Sequence, residues 1–183
     1  MKSCQALILL SALGLLNSCE KVELNPNSDS DNAVEIVVPT SLGHGTQLSP
    51  YTVAQVISGD APSGSTSWVC GYTVGSTYRT MSNAIFYANT TYSGNILISD
   101  DSLCEDKSKC IAVELTTKVM QQSLSLAENP QHYRQCVIIN GLLGRYFSQP
   151  GIRSAKAGYY LDGFDISNIN TFPEEWNEKE IRY

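Results

Sequence analysis

Strict alternation over residues 67–75 is the feature of this 183-residue sequence that most constrains its fold. Successive side chains of a β-strand point to opposite faces, so a repeat of two predicts a strand that ends at Gly75. A helix would instead bring apolar residues together every three or four positions. One face of the predicted strand carries Trp68, Cys70, Tyr72 and Val74, and the other carries Val69, Gly71 and Thr73.

Four further apolar runs predict strands. The longest of them is interrupted by Gly141 and Gly144, where bends or bulges are expected. The four runs cover residues 95–99, 111–115, 135–147 and 158–166.

Two helices are predicted among these strands. Residues 117–128 have apolar side chains at helical spacing and end before a proline, so a helix is expected between the third and fourth strands. An extra N-terminal helix is predicted to begin at Ser49 and Pro50, a hydroxyl cap followed by a proline that suits the first turn. It would run to Ser58, with Gly59 as its stop.

Three strands, a helix and two further strands form the element order of an OB-fold, a five-stranded Greek-key barrel. The sequence therefore predicts a mostly β domain of this class over residues 34–170. The helix lies between strands three and four, and the extra N-terminal helix precedes the barrel. One ordinary domain accounts for a chain of this length.

The first 18 residues have the composition of an export signal. Lys2 precedes an apolar run that is too short to span a bilayer as a helix. The tetrapeptide LNSC that follows, at residues 16–19, resembles a lipobox. It predicts a lipoprotein signal peptide over residues 1–18, cleavage before Cys19, and lipidation of Cys19.

The segments at both ends of the domain are polar. Residues 19–33 are acidic and poor in apolar side chains, so a lipidated flexible tether is expected there, and residues 171–183 form an acidic C-terminal tail. These features predict a cell-envelope protein held by a lipid anchor in the membrane. The acidic tether favours the outer membrane, on either its periplasmic or its exposed side.

The charge balance disfavours nucleic acid as a partner. Twelve basic and eighteen acidic side chains give a net charge of −6 at pH 7. Binding to nucleic acid without sequence preference needs a basic surface that releases counterions. A binder of single-stranded nucleic acid is therefore the less favoured alternative.

Four cysteines remain once Cys4 and Cys19 are assigned to the leader and the anchor. An even number in an oxidising compartment favours disulfides, and four cysteines allow three pairings. A zinc site is the alternative, but the sequence has no CxxC pair. The four cysteines are Cys70, Cys104, Cys110 and Cys136.

Several segments resemble one family, the OB-fold domain of unknown function found in envelope lipoproteins of Bacteroidales-type bacteria. The likeness extends over about residues 35–166. It implies the barrel and the envelope location, and it implies no ligand. The segments that carry it are GTQLSPYTVAQVI at residues 45–57, WVCGYTVG at 68–75, NILISD at 95–100 and VIINGLLGRYFSQPGI at 137–152.

The resemblance also implies how the cysteines pair. Cys70 and Cys136 take positions where members of the family typically carry a charged or polar residue. In an OB-fold the first and fourth strands are neighbours, so both cysteines would face outward on adjacent strands and form a disulfide. Cys104 and Cys110 would then close the short loop CEDKSKC.

The acidic turn at residues 100–106 carries two candidate features. Its carboxylates could bind calcium, but their spacing differs from that of an EF-hand loop, so a solvated turn is expected and no metal site is predicted. Within the turn, Asp101-Ser102-Leu103 resembles an O-glycosylation signal of the same group of bacteria. Ser102 is therefore a candidate for sugar attachment.

OB-folds usually bind ligands on the face of strands two and three and in the loops beside it. Here those loops, residues 76–94 and 148–157, combine aromatic rings with arginines, which stack on sugars or bases. The alternative is that the aromatic rings cover the barrel end and the arginines are solvated. The candidate ligand-binding residues are Tyr78, Arg79, Phe86, Tyr87 and Tyr92 in the first loop, Arg153 and Lys156 in the second, and Arg145 and Tyr146 just before the second.

No catalytic motif stands out. His44 and His132 have no nucleophile at a recognisable spacing, and the GxSxG, HExxH and Walker patterns are absent. The sequence predicts a non-catalytic envelope lipoprotein without a cofactor, acting as a binding module for an oligosaccharide or a partner protein. The alternative is a structural or accessory subunit of an envelope assembly, and the oligomeric state is open.

Overall fold

The computed structural model describes residues 42–163, 165 and 166. The predicted signal peptide, the tether with Cys19, and the acidic tail of residues 171–183 lie outside the described residues. In chain order the elements are helix α1 (Val53–Ser58), strands β1 (Thr66–Tyr78), β2 (Thr80–Ile85), β3 (Asn95–Ser99) and β4 (Cys110–Glu114), helix α2 (Lys118–Leu124), and strands β5 (Cys136–Tyr146) and β6 (Gln149–Tyr160).

Five strands close into a ring of mixed sheet. Around the ring the order is β1, β3, β4, β6 and β5, and β5 pairs back with β1. This closing pair extends from Thr66 opposite Leu142 to Tyr72 opposite Cys136. β4 and β6 run parallel, whereas the other ring pairs are antiparallel. Within the described part of the chain, β2 lies outside the ring and pairs with β1 alone.

The ring surrounds the main hydrophobic core. Val69 of β1 is the register partner of Ile139 of β5, and both side chains are fully buried. Val69 and Ile139 therefore point into the ring. Every ring strand and both helices add side chains to this core, including Val53, Val56, Ile96, Ile98, Ile111, Val113, Met120, Leu124, Val137, Leu143 and Ile152.

Two smaller apolar clusters cover the outside of the ring. We call the first the strap cluster: Leu161 and Ile166, which follow β6, pack with Cys70, Cys136 and Ile138. We call the second the hairpin cluster, which lies outside β1, β3 and β4. Its buried members are Val74, Met81, Leu97, Cys104, Cys110 and Ala112.

Helix α1 begins at Val53, whereas the sequence predicts its start at Ser49 and Pro50. Tyr51 is extended there and forms a parallel bridge with Val69. The helix instead uses a capping box: Thr52 Oγ1 accepts from Gln55 N–H, and Gln55 Oε1 accepts from Thr52 N–H. Gly59, at a φ of 90°, ends the helix as predicted.

The prediction of a loop at residues 76–94 is wrong for its first half. β1 continues to Tyr78, the chain turns at Arg79 with a φ of 62°, and β2 returns antiparallel to β1. In the β2 sequence TMSNAI, Thr80, Ser82 and Asn83 are exposed, so the strand lacks a continuous apolar run. Met81, at 4% exposure, and the half-buried Ala84 pack into the hairpin cluster.

The prediction of a loop at residues 148–157 is also wrong. Phe147 and Ser148 both have positive φ, 50° and 66°, in a two-residue turn from which β6 starts. Such turns favour Asn-Gly, so this pair carries no sequence signal for a hairpin. The β5–β6 register shifts at Gly141, where the sequence predicts a bend or bulge, but it is regular at Gly144, where a second one is predicted. A Cβ on Gly141 would collide with Ile152.

Gly75 lets β1 and β2 approach closely, since a Cβ at this position would collide with the carbonyl oxygen of Ile85. We expect Gly75→Ala to lower the free energy of unfolding by roughly 1–3 kcal/mol, because two backbones must separate. Gly144→Ala on β5 is the matched control, since a Cβ there meets nothing within 4 Å. Urea unfolding measures both variants, and equal loss of stability would contradict this packing.

Candidate functional site

A row of residues crosses four strands at one end of the ring. Thr77 N–H of β1 donates to Asn95 Oδ1 of β3 at 2.9 Å, and Asn95 is the register partner of Glu114 on β4. The parallel β4–β6 pairing brings Arg153 next to Glu114, because the residues before them are partners. With about 4.8 Å between strands, the row spans roughly 14 Å. We define the rim as this row together with Tyr78, Arg79, Tyr92 and Tyr146.

Tyr78 and Tyr92 stack at the hairpin side of the rim. Their ring centroids are 5.0 Å apart and their planes differ by 10°. The Arg79 guanidinium carbon lies 4.8 Å from the Tyr78 centroid, a distance at which a cation is attracted to the ring. Thr90 Oγ1 accepts from Tyr92 N–H and contacts Ser76 Oγ at 2.7 Å, which fixes this loop against β1. Tyr78 remains 41% exposed.

Tyr146 lies at the other side of the rim, between opposite charges. Burial raises the pKa of its hydroxyl and the Glu114 carboxylate raises this pKa further, whereas a hydrogen bond with the Asn95 side chain and the charge of Arg153 lower it. At neutral pH the phenol is therefore protonated and can donate a hydrogen bond. A donor phenol, a carboxylate and a guanidinium together can bind a ligand that carries several hydroxyl groups.

A bulge in β6 fixes the Glu114 side chain. Ser154 has a φ of 51°, and its N–H donates to Glu114 Oε2 at 3.0 Å. The carboxylate is therefore held by the same strand that carries Arg153. This local geometry depends on the β5–β6 register shift, which strand periodicity alone does not predict.

Three of the predicted ligand residues border the rim. Phe86 is partly buried against the hairpin cluster, whereas Tyr87 beside it is 53% exposed. Arg145 is exposed and donates to the carbonyl oxygen of Ser148 at 2.7 Å, within its own turn. None of these three belongs to the row that joins the four strands.

Lys156 lies away from the other candidates. Its Nζ is 3.4 Å from Thr66 Oγ1, at the opposite end of β1 from Tyr78. The bulge in β6 separates Lys156 from Arg153. The structure therefore does not bring Lys156 to the rim.

The outer face of β3 and β4 is covered by the chain itself. Leu97 and Ala112 are buried in the hairpin cluster with Met81 of β2, and Phe86 and Tyr146 pack against that cluster. These aromatic side chains cover the outer face of the sheet, whereas the alternative drawn from the sequence placed such a cover at the barrel end. A ligand can therefore reach the ends of these strands at the rim more readily than their faces.

The structure contains a groove of about 450 Å³ beside α1 that the sequence does not predict. Ala54 and Ile57 of α1 form one side and Lys109 lies on the other. Asp100 holds α1 in position, accepting from Val53 N–H at 2.8 Å and Ala54 N–H at 2.7 Å. Burial raises the pKa of this carboxyl. No sequence signal locates the groove, because it depends on how α1 packs against the end of β3.

The acidic turn is ordered by its own hydrogen bonds. Asp101 Oδ1 accepts from Leu103 N–H at 2.9 Å, and the half-buried Ser102 lies between them. Among the residues that the structure describes, no group of three His, Cys, Asp or Glu side chains could hold a metal ion. No helix in this part of the chain is long and apolar enough to cross a membrane.

The two histidines lie outside the rim. His44 is exposed in the segment before α1. The His132 ring packs on Tyr160 with centroids 3.8 Å apart. Burial lowers the pKa of His132 and raises that of Tyr160 to about 12. Tyr160 donates to the carbonyl oxygen of Leu124 at 2.9 Å, so this pair joins α2 to the ring.

One family model matches residues 51–161, and its description is "Domain of unknown function (DUF6359)". The chain belongs to this family. The DUF6359 match begins at the Tyr51 bridge and ends just after β6, so it contains the whole ring and every rim residue. No curated protein and no solved structure matches the chain.

The charges around Tyr146 in the DUF6359 domain can be tested by titration. Glu114→Gln should lower the Tyr146 pKa, because it removes a negative charge and keeps an oxygen for Ser154 N–H. Arg153→Gln should raise the same pKa, because it removes a positive charge. Magnetic resonance of carbon-labelled tyrosine measures both shifts, and the distant Tyr160 is the internal control. An unchanged Tyr146 pKa in both variants would contradict the rim geometry.

Proposed function

We propose that this chain is a non-catalytic protein of the cell envelope that binds an oligosaccharide through the rim. The observation that carries this proposal is the Tyr78–Tyr92 stack with Arg79, beside the polar group of Glu114, Tyr146 and Arg153. Two separate parts of the sequence supply aromatic rings and paired charges to one end of the sheet.

The two halves of the rim match the two kinds of surface on a sugar. The C–H faces of a pyranose ring pack on aromatic rings, and a stacking contact contributes about 1–3 kcal/mol by analogy with bases. Sugar hydroxyls both donate and accept hydrogen bonds. Glu114 can accept from them, whereas Arg153 and the protonated Tyr146 can donate to them.

We further infer that the ring is an OB-fold. Its support is the connectivity: β1 adjoins β5, β4 runs parallel to β6, and α2 lies between β4 and β5. A five-stranded Greek-key barrel of this class has its helix between strands three and four. β2 would then be an insertion between the first and second barrel strands.

The envelope location is part of the same proposal and rests on the sequence. A leader over residues 1–18 and a lipid on Cys19 would hold the domain on the membrane through the acidic tether. The outer membrane is the proposed site. An exported domain of this kind would meet oligosaccharides of the cell surface or its surroundings.

A partner protein is the second candidate ligand, alone or within a larger envelope assembly. Its specific support is the exposure of Tyr78, 41%, in contact with Arg79, together with that of Tyr87, 53%. Tyrosine and arginine concentrate at the energetically dominant positions of protein interfaces. Single-stranded nucleic acid is the third, and the net charge of −6 speaks against it.

A glycan array probed with the full chain at physiological salt tests the proposal. Arg79→Ala should weaken binding to any glycan hit about tenfold, or ~1.4 kcal/mol, because the cation beside Tyr78 is lost. Arg134→Ala is a closely matched control. Arg134 also has positive φ, 66°, and also lies over the preceding tyrosine ring, 5.1 Å from the Tyr133 centroid. It should leave binding unchanged.

Each other outcome has a defined meaning. An equal loss of glycan affinity in Arg79→Ala and Arg134→Ala would show that the rim is not the binding site. Salt-sensitive binding to single-stranded oligonucleotides, printed on the same array, would favour nucleic acid. If the chain binds no glycan and no oligonucleotide on the array, the oligosaccharide proposal is overturned and a protein partner is the remaining candidate.

A further inference from the structure

The four cysteines of the described domain form two close pairs. Cys70 Sγ lies 3.3 Å from Cys136 Sγ, and Cys104 Sγ lies 3.5 Å from Cys110 Sγ. All four side chains are buried as free thiols. Since a disulfide needs sulfurs about 2.05 Å apart, each pair has to close by only about 1.3–1.5 Å.

The first pair joins the two strands that close the ring. Cys70 is opposite Ile138 and Cys136 is opposite Tyr72, so the cysteines are diagonal neighbours on the outer face. Leu161 and Ile166 of the strap cluster pack over them. Ile166 is held in turn by Tyr72, whose hydroxyl oxygen accepts from the N–H of Ile166 at 2.9 Å.

The second pair lies at the base of an exposed loop. Cys104 and Cys110 belong to the hairpin cluster, but Glu105 to Lys109 between them are all exposed. Both thiols point to one acceptor, the carbonyl oxygen of Asp106, at 3.4 and 3.2 Å. The loop contains a single turn of 3-10 helix, which Asp106 caps, and Ser99 Oγ of β3 donates to the carbonyl oxygen of Lys109 at 2.9 Å.

Metal binding explains these pairs less well. A structural zinc site needs about four ligands, whereas each pair offers two sulfurs and lies in a different cluster. Metal ligation and nucleophilic catalysis also require a thiolate. Burial raises the pKa of the Cys70 and Cys110 thiols, so both stay protonated when reduced.

We propose that Cys70–Cys136 and Cys104–Cys110 both form disulfides, and that the second is the reducible one. Each bond forms when two thiols lose two protons and two electrons to a protein disulfide of an oxidising compartment, which becomes a dithiol. The Cys70–Cys136 bond fastens the ring closure beneath the strap. The Cys104–Cys110 bond fastens the loop that packs against the hairpin cluster.

The order of reduction follows from access. A thiolate reductant must reach a sulfur along the bond it attacks. Local opening of an exposed loop costs less free energy than opening a core strand pair. A small reductant therefore reaches Cys104–Cys110 in the folded protein. It reaches Cys70–Cys136 only when Leu161 and Ile166 move away and the β1–β5 pairing opens.

Peptide mapping tests the pairing, because trypsin separates all four cysteines. Cleavage after Arg79, Lys107, Lys109 and Arg134 leaves each of them on its own peptide. The full chain with C4S and C19S is refolded in a mixture of oxidised and reduced glutathione, quenched with acid and digested. We expect two linked species, Cys70 with Cys136 and Cys104 with Cys110. Any other pairing, or free thiols at all four positions, would overturn the proposal.

Stepwise reduction tests the order. The oxidised chain is exposed to rising concentrations of dithiothreitol under native conditions, and freed thiols are alkylated and mapped. We expect labels on Cys104 and Cys110 well before any on Cys70 and Cys136. Simultaneous or reversed labelling would overturn the order. The double variant C104A/C110A should fold and keep the other disulfide, so that the ring closure is tested without the loop bond.

Discussion

Pairing of β1 with β5 is the interaction on which the rest of the structure depends. It turns a row of strands into a ring, and it brings Val69 and Ile139 together inside a core that would otherwise be open along one side. The Tyr51 bridge adds the segment before α1 to the same strand. β1 therefore contacts three strands and the start of α1, so most of the domain is assembled against it.

Two apolar clusters limit which parts of the ring a ligand could reach. The strap cluster hides the outside of β1 and β5, and the hairpin cluster hides the outside of β3 and β4. At the rim, Tyr78, Arg79 and Arg153 are exposed and Tyr92, Glu114 and Tyr146 are half-buried, whereas Thr77 and Asn95 are buried. Two strained backbone positions, Arg79 and Ser154, lie there and direct the Arg79 ring contact and the Glu114 hydrogen bond. Non-glycine residues at positive φ are uncommon, and each of these two positions is linked to a specific contact at the rim.

Local sequence patterns predict the buried elements well and the exposed ones poorly. β3 was predicted at residues 95–99 and lies there, because a buried strand has a continuous apolar run. β2 and the first part of β6 were not predicted, because their buried apolar residues, such as Met81 and Ile152, stand among polar residues and form no such run. For the rim, Tyr78 and Arg79 could be named from composition. Asn95 and Glu114 could not, because their place depends on pairing between strands far apart in sequence.

Magnetic resonance mapping on the isotope-labelled full chain tests most directly whether the rim acts as one surface. Amide signals are followed during titration with the oligosaccharide that binds best on an array. If the rim is the site, the amides of Thr77, Asn95, Glu114 and Arg153 shift together with one dissociation constant, although four different strands carry them. Shifts confined to the groove beside α1, around Ala54 and Lys109, would contradict the assignment of binding to the rim.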